Sequence, residues 1–442
     1  APPVVYFDYI IIGGGTAGCP LAATLSQNAT VLVLERGGSP YRDFNITNVG
    51  NFGSTISDTS PHSASQIFIS EDGVYNTRAR VLGGGSAINA GFYSHAEPEF
   101  VRDAGWDEDL VRRSYDWVES KVAFEPQVKQ WQSAVRDALV EIGVLPYNGF
   151  TYNHVDGTKI GGTIFDDQGH RHTAADLLEY ANPLTVKVYL HATVSRILFT
   201  NKGRQWPKPR AYGVVFEDAL GIRKRAFLRP NPQNEVILTA GALGSPQLMM
   251  LSGIGPALHL KSHGIHVVLD QPNSGKPSSL TAETMARAID TVHAYAANTS
   301  LKGGVILEKV RGPLSSGDLK LRSRSPRDNP AVTFNYFKDP QDLRSFARLR
   351  YAHLPVQALV DLMLNLPVNL RPRHVSSSIS LEQFCIDTVM TIWHYHGGCQ
   401  VGKVVDQDYR VVGVDGLRVI DGSTFLKSPG TNPQATVMML GR

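Results

Sequence analysis

The chain has 442 residues, 42% hydrophobic and 19% charged, with a formal net charge of +3. That length exceeds what one compact core usually supports, so two domains are expected. The basic residues are dispersed apart from short groups such as Arg223-Lys-Arg225, which argues against a nucleic-acid footprint. No run of about eighteen apolar residues occurs, so no transmembrane helix is predicted.

The first element is an apolar run, Tyr9-Ile-Ile-Ile12, entering Gly13-Gly-Gly15-Thr16-Ala17-Gly18. A helical stretch follows, and a second apolar run, Leu32-Val-Leu34, ends in Glu35. Strand, Gly-x-Gly-x-x-Gly turn, helix and acid stand in the order that a dinucleotide-binding βαβ unit requires. Gly13 permits the tight turn, Gly15 lets the backbone approach a pyrophosphate, and Gly18 lets helix and strand pack closely. The helix start offers unpaired N–H groups to phosphates. Glu35 stands where a carboxylate accepts from ribose hydroxyls, and its charge disfavours the 2′-phosphate of NADP. The bland reading is a helix–strand packing motif without a ligand.

A second glycine turn, Val81-Leu-Gly83-Gly84-Gly-Ser86-Ala-Ile-Asn89, either brings N–H groups to another part of the same cofactor or is a structural turn. Apolar spacing predicts helices over Asp107–Glu119 and Trp131–Ile142. Strands follow at Val186–Leu190, Val194–Phe199, Ala211–Phe216 and Glu235–Thr239. Ser245-Pro246 is expected to open a helix that Ser252-Gly-Ile-Gly255 closes. Gln271–Ser279 reads as a loop or linker, and further strands are predicted at Gly304–Glu308 and Ala331–Asn335. The alternation predicts an α/β fold. A Rossmann-like nucleotide-binding domain is built from the discontinuous segments 1–95, 186–272 and 401–442. An inserted α+β substrate-binding domain, an antiparallel sheet plus helices, takes 96–185 and 273–400.

Three cysteines, Cys19, Cys385 and Cys399, make no disulfide framework. Cys19 is expected to be buried, and a Cys385–Cys399 pair depends on geometry. Three N-x-S/T sequons, Asn28-Ala-Thr30, Asn45-Ile-Thr47 and Asn298-Thr-Ser300, tilt the reading toward a secreted glycoprotein. The chain opens at Ala1 without an apolar leader, as a mature secreted protein would.

Trp393-His394-Tyr395-His396 is the candidate reactive centre. On a strand, His394 and His396 would share one face and Tyr395 the other. Histidines at i, i+2 can chelate a metal, but no nearby carboxylate or Cys/His set completes a site, so none is expected. A pair of hydrogen-bonded core histidines is the plainer alternative.

On these residues the chain resembles the glucose–methanol–choline (GMC) oxidoreductase family. The resemblance rests on both glycine turns, on the whole of Gly241–Gly255, and on Gly416-Leu-Arg-Val-Ile-Asp-Gly-Ser423, and so covers most of the chain. Trp393-His-Tyr-His-Gly-Gly398 resembles the plant branch that holds HOTHEAD-like proteins and the (R)-mandelonitrile lyases. The resemblance implies FAD, with Gly13, Gly15, Thr16, Ala17 and Gly18 at the pyrophosphate and Glu35 at the adenosine ribose. It implies the Val194 backbone at the adenine, Gly83, Gly84, Ser86 and Asn89 beside the cofactor, and Asp421 and Gly422 toward the flavin. No histidine occupies the 83–89 turn, where some relatives attach the flavin, so a non-covalent FAD is expected.

By the same resemblance His394 is the catalytic position, and Asn432, in Gly430-Thr-Asn-Pro-Gln-Ala435, is the second. Neutral His394 would take the hydroxyl proton of a primary alcohol while hydride passes to flavin N5. Asn432 would donate to the substrate oxygen and hold the carbinol carbon in place. HOTHEAD-like relatives suggest a long-chain ω-hydroxy fatty acid, with a benzylic alcohol as competitor. The lyases carry His in the second position and Tyr before Trp-His, where this chain has Asn432 and Ile392. Cyanohydrin cleavage is weakened by that, and remains the alternative beside a flavin-binding protein without turnover. The expected partner is a small alcohol or cyanohydrin, and the oligomeric state is open. Against the family the chain looks abridged after Gln271, around Arg350–Leu354 and at Gly441-Arg442.

Overall fold

The computed structural model describes residues 4–200, 207–275, 280–286, 308–309, 312–348, 386, 389–430 and 432–442. At its centre is a five-stranded parallel sheet in the order Val186–Tyr189, Val31–Leu34, Tyr9–Ile12, Glu235–Leu238, Leu417–Val419. Its three inner strands are short, mostly apolar runs because both faces are covered, whereas the edge strands admit Lys187 and Arg418. Ile11, Val33 and Ile237 pack beneath the helix Gly18–Leu25 through Leu21 and Ala22. Ile10, Ile12, Leu32, Leu34, Val236 and Leu238 face a second layer instead.

That layer is a four-stranded sheet in the order Val4–Phe7, Arg223–Leu228, Ala211–Glu217, Thr193–Phe199. It contributes Val194, Ile197, Val214, Phe216 and Ala226 to the shared core. The register pairs Ile12 with both Leu34 and Leu238, so three strands end level. Gly13, Glu35 and Thr239 therefore emerge side by side at the carboxyl edge of the sheet, the edge where open α/β sheets bind ligands.

The helix Glu108–Val122 starts on an Asp107 cap, whose Oδ1 accepts from the Leu110 N–H at 2.7 Å. It buries Val111, Tyr115, Val118 and Val122 at helical spacing against Ala435, Met438 and Met439 of the helix Gln434–Gly441. A further helix runs over Gln130–Glu141. A three-stranded antiparallel sheet, in the order Glu308–Lys309, Leu280–Ala286, Val389–Gly397, carries His394. Among the described residues no helix is long and apolar enough to cross a membrane.

Several local expectations change. The helix expected to open at Ser245-Pro246 begins earlier and spans Gly241–Leu251, with Pro246 inside it. Its start is held from a distance: Asp421 Oδ2 accepts the Gly241 N–H at 2.9 Å, and Ser245 Oγ accepts the Ala240 N–H at 3.1 Å. The carbonyl of Ala242, which Pro246 cannot serve, faces Gly398, where an added Cβ would stand 3.5 Å from it and 3.2 Å from the Pro246 ring. The described part of the expected linker is packed, with Gln271 at 7% and Ser274 at 0% exposure. Gly275 accepts from the Leu319 N–H at 2.9 Å there. Of the strand expected at Gly304–Glu308, only Glu308 lies within the described residues. Cys19 and Cys399 are buried free thiols, and Cys385 falls outside the described residues.

Candidate active site

The two glycine turns meet at the edge of the parallel sheet. Gly84 has φ +59°, and a Cβ there would stand 2.7 Å from the Gly15 Cα. Gly13 has φ +108°, and a Cβ on it would come within 2.6 Å of the Thr239 carbonyl oxygen. Thr239 closes the corner by donating its hydroxyl to the Gly13 carbonyl at 2.6 Å. The Gly83 N–H donates to the Gly14 carbonyl at 2.7 Å, which ties the second turn to the first. The Thr16 hydroxyl reaches the Gly83 carbonyl at 3.5 Å, Ala17 is buried beside it, and Gly18 packs on Gly13. Ser86 is fully buried, donating to the Gly83 carbonyl at 2.7 Å and accepting from the Ala174 N–H at 2.9 Å.

Glu35 is 5% exposed and uses both carboxylate oxygens on the backbone, accepting from Gly14 at 2.9 Å and Gly37 at 2.7 Å. Burial pushes its carboxyl above the usual range, and the Gly37 and Gly14 hydrogen bonds pull it back. Val194 lies on the strand Thr193–Phe199 beside an irregularity between Val194 and Arg196, where Ser195 is the extra residue. The residues present fit FAD: a contact between turns that admits no side chain, and a buried acid at the end of the second strand.

Asp421 joins the sheet edge to the strand that bears His394. Its Oδ2 accepts from Ser245 Oγ at 2.6 Å and from Gly241, and its Oδ1 accepts from the Ser423 N–H at 2.8 Å. Burial raises its pKa, and the bonds from Ser245, Ser423 and Gly241 oppose that rise. Gly422 follows, with the Tyr395 carbonyl 3.5 Å from the position of an added Cβ.

The strand Val389–Gly397 is not regular. Between the pairs Ala282↔Tyr395 and Thr284↔Thr391 it advances four residues while its neighbour advances two, and Trp393 takes φ +63°. The simple alternation expected at His394 is therefore broken by a bulge. Tyr395 stacks on Phe334, ring centroids 5.4 Å apart, and donates its hydroxyl to Asn76 Oδ1 at 2.7 Å. His396 is 4% exposed, with Nδ1 3.2 Å from the His394 carbonyl. His394 instead meets Asn432, Nε2 to Nδ2 at 3.1 Å. An amide NH₂ only donates, so with the amide placed this way Nε2 is the acceptor. Among the described residues no group of three or more His, Cys, Asp or Glu side chains is placed to hold a metal.

Gln434, which the sequence reading missed, connects the two halves of the site. Its Oε1 accepts from Asn89 Nδ2 at 2.9 Å and its Nε2 donates to the Phe92 carbonyl at 2.5 Å. It lies two residues beyond Asn432 in the chain, so the segment that carries Asn432 is tied to the cofactor turn through Asn89. Its position at the first residue of the last helix was the available signal. A cavity of about 820 Å³ opens elsewhere, along Arg196, Phe199, Tyr212 and Ile265, and includes neither His394 nor Asn432.

A dinucleotide-type fold with an imidazole and an amide in contact at one end defines a cofactor-dependent enzyme site. The family model for GMC oxidoreductases matches residues 7–276 with its N-terminal part and 313–441 with its C-terminal part. Protein HOTHEAD of Arabidopsis thaliana is 46% identical over 518 aligned residues, covering 99% of this chain and 87% of its own length. Sinalpyl alcohol oxidase Nec3 of Nesocodon mauritianus is 42% identical, covering 99% and 87%. (R)-mandelonitrile lyase 1 of Prunus serotina is 39% identical, covering 99% and 85%. The crystal structure of formate oxidase superposes with a TM-score of 0.80 at 19% identity, over 100% of this chain and 97% of that one. The chain belongs to the GMC oxidoreductase family and is an FAD-dependent alcohol oxidoreductase. The HOTHEAD alignment is longer than this chain of 442 residues, so that relative carries segments this chain lacks.

Proposed function

We propose that the protein oxidises a primary alcohol to the aldehyde, with His394 as general base and Asn432 as the donor to the substrate oxygen. The observation that carries this is the 3.1 Å contact of the Asn432 amide with His394 Nε2, which leaves a lone pair on the base. When bound, FAD supplies the acceptor for the hydride of the carbinol carbon. An incoming hydroxyl replaces the amide at Nε2, and the amide turns to the oxygen that is losing its proton. Beside the bulge at Trp393, His394 meets Asn432 while Tyr395 is anchored on Asn76. Long-chain ω-hydroxy fatty acids are the first substrates to try, given the similarity to HOTHEAD, and aromatic alcohols the second, given the similarity to an alcohol oxidase.

Cyanohydrin cleavage is the second reading, favoured by the lyase relatives and by His394 itself. Asn432 cannot exchange a proton at neutral pH, and Ile392 cannot hydrogen-bond through its side chain, so the chain lacks two groups with which to run that reaction. We also propose the two-domain division given above and a secretory location, supported by exposed Asn28 and Asn45 within their sequons. A mobility shift on glycosidase treatment of protein from a eukaryotic host tests the location.

The test of function is an anaerobic visible spectrum of the holoprotein, before and after an ω-hydroxy fatty acid, benzyl alcohol and mandelonitrile. Bleaching by an alcohol supports the oxidoreductase reading. Benzaldehyde and cyanide from mandelonitrile with the flavin still oxidised would overturn it in favour of the lyase.

A further inference from the structure

Arg171 is 6% exposed, and no acid answers its charge among the described residues. Its Nε donates to the Ile46 carbonyl at 2.9 Å, and its Nη1 donates to the Ser86 carbonyl at 3.2 Å and to Asn89 Oδ1 at 3.1 Å. Its guanidinium lies 4.5 Å from the Phe165 ring centroid. Nη2 is buried without a hydrogen-bond partner. A guanidinium taken out of water without a carboxylate is strongly unfavourable unless another anion completes it. Burial alone pushes this one down to about 10. A fold that needed only the neutral contacts could have used a glutamine there.

The surroundings identify the missing anion. Both carbonyl-type acceptors of Nη1 belong to the second glycine turn, whose Gly84 stands against Gly15 in the phosphate-approaching loop. The cofactor brings a diphosphate to that junction, and the described residues around it offer backbone N–H groups and hydroxyls rather than another cation on the turn. We infer that Arg171 is the standing counter-charge of the FAD diphosphate, acting across the 83–89 turn whose conformation it also fixes. Through Asn89 it is one link from Gln434, so it is a positioning residue for the cofactor and not a catalytic one.

The apoprotein of the full chain is titrated with FAD, following flavin fluorescence, for the wild type, Arg171→Lys and Arg171→Gln. Gln keeps an amide donor for Ser86 and Asn89 but no charge, so the affinity should fall by at least about tenfold, whereas Lys should stay within about fivefold of the wild type. The flavin midpoint potential should not move in a variant that retains FAD, because the partner is the diphosphate and not the flavin ring. Unchanged affinity in Arg171→Gln overturns the inference. Equal losses in Gln and Lys overturn it too, since contacts rather than charge would then matter. A shifted potential at unchanged affinity places the charge at the flavin and also refutes it. Should Arg171→Gln fail to fold, Arg171→Lys decides: retained affinity supports the charge, and loss beyond about tenfold refutes it.

Discussion

Replacing Asn432 by aspartate should harm turnover more than replacing it by alanine, because of how the amide meets His394. At 3.1 Å the donor-only NH₂ fixes a lone pair on Nε2, which puts the ring proton on Nδ1. When a hydroxyl docks, Nε2 exchanges one neutral hydrogen bond for another, each contributing about 1 kcal/mol. The released amide then donates to an oxygen whose negative charge is growing, a bond of about 1.5–3 kcal/mol. The difference, about 0.5–2 kcal/mol, corresponds to a factor of roughly 2–30 in rate, and Asn432→Ala should lose it. An aspartate in the same place accepts. It draws the proton onto Nε2, removes the base, and repels the substrate oxygen, so a loss on the order of 10²–10³ is expected, as when an oxyanion donor is lost. The assay is the limiting rate of anaerobic flavin bleaching at saturating alcohol, with FAD content and melting temperature measured on each variant. Asn432→Asp reacting as fast as Asn432→Ala at equal FAD content would refute the amide-on-base geometry.

Gly84→Ala should load FAD poorly. The left-handed φ of +59° costs a non-glycine residue about 1–2 kcal/mol, and the added Cβ would have to move Gly15 or Thr16 away. Flavin content per chain after purification measures this, and full loading would show that the two turns can separate without harm. His172 lies between Asp176 Oδ2 at 3.3 Å and Asp166 Oδ2 at 3.6 Å, and chiefly the Asp176 hydrogen bond raises its pKa above 6.5. A raised folded pKa contributes stability that is fully present below the unfolded value and lost as pH rises through the folded one. His172→Gln should therefore lower Tm most at about pH 6 and least above the folded pKa; a pH-independent difference would contradict the linkage. Burial holds the Lys159 ammonium down at about 8, with Ser94 Oγ at 2.8 Å and the Asn153 carbonyl at 2.5 Å as its partners among the described residues. A depressed folded pKa means stability present above the unfolded 10.5 and lost as pH falls through the folded value. Lys159→Met should accordingly raise Tm at neutral pH, with the advantage shrinking between about pH 8 and 10.5; a constant offset would assign the effect to packing instead.

The parallel sheet was legible because buried strands cannot alternate: Ile10–Ile12 and Val236–Leu238 are continuous apolar runs, and each ends at a turn residue on the ligand edge. The helix Glu108–Val122 was legible for the opposite reason, since one face is wet and the apolar spacing shows. The start of the helix Gly241–Leu251 was not. Its cap is Asp421, remote in sequence, so proline alone suggested a start five residues late. The packing of Gln271 and Ser274 was hidden likewise, because polar and glycine-rich composition reads as a loop whether or not other segments cover it.

The site divides along the same line. Residues whose task depends on what they lack, such as Gly13, Gly15 and Gly84, announce it locally, because an absent Cβ is a property of the residue itself. The relation of His394 to Asn432 depends on a bulge, and the bulge depends on the register with Leu280–Ala286, which no local spacing encodes. Period-two reasoning placed His394 and His396 as equivalents. The structure separates them, one on the amide of Asn432 and the other at the carbonyl of His394. Arg171 is further still from sequence logic, since an arginine before a helix cap reads as solvated until its burial, and the absence of an acid beside it among the described residues, are both known. What a sequence leaves dark here is pairing across distance, as between Asn89 and Gln434 and between His394 and Asn432, and the chain from Asn432 to Gln434 joins those two pairs. A substitution at Asn89 or Gln434 should therefore disturb chemistry and cofactor retention together, although neither side chain is a proton donor or acceptor in the reaction.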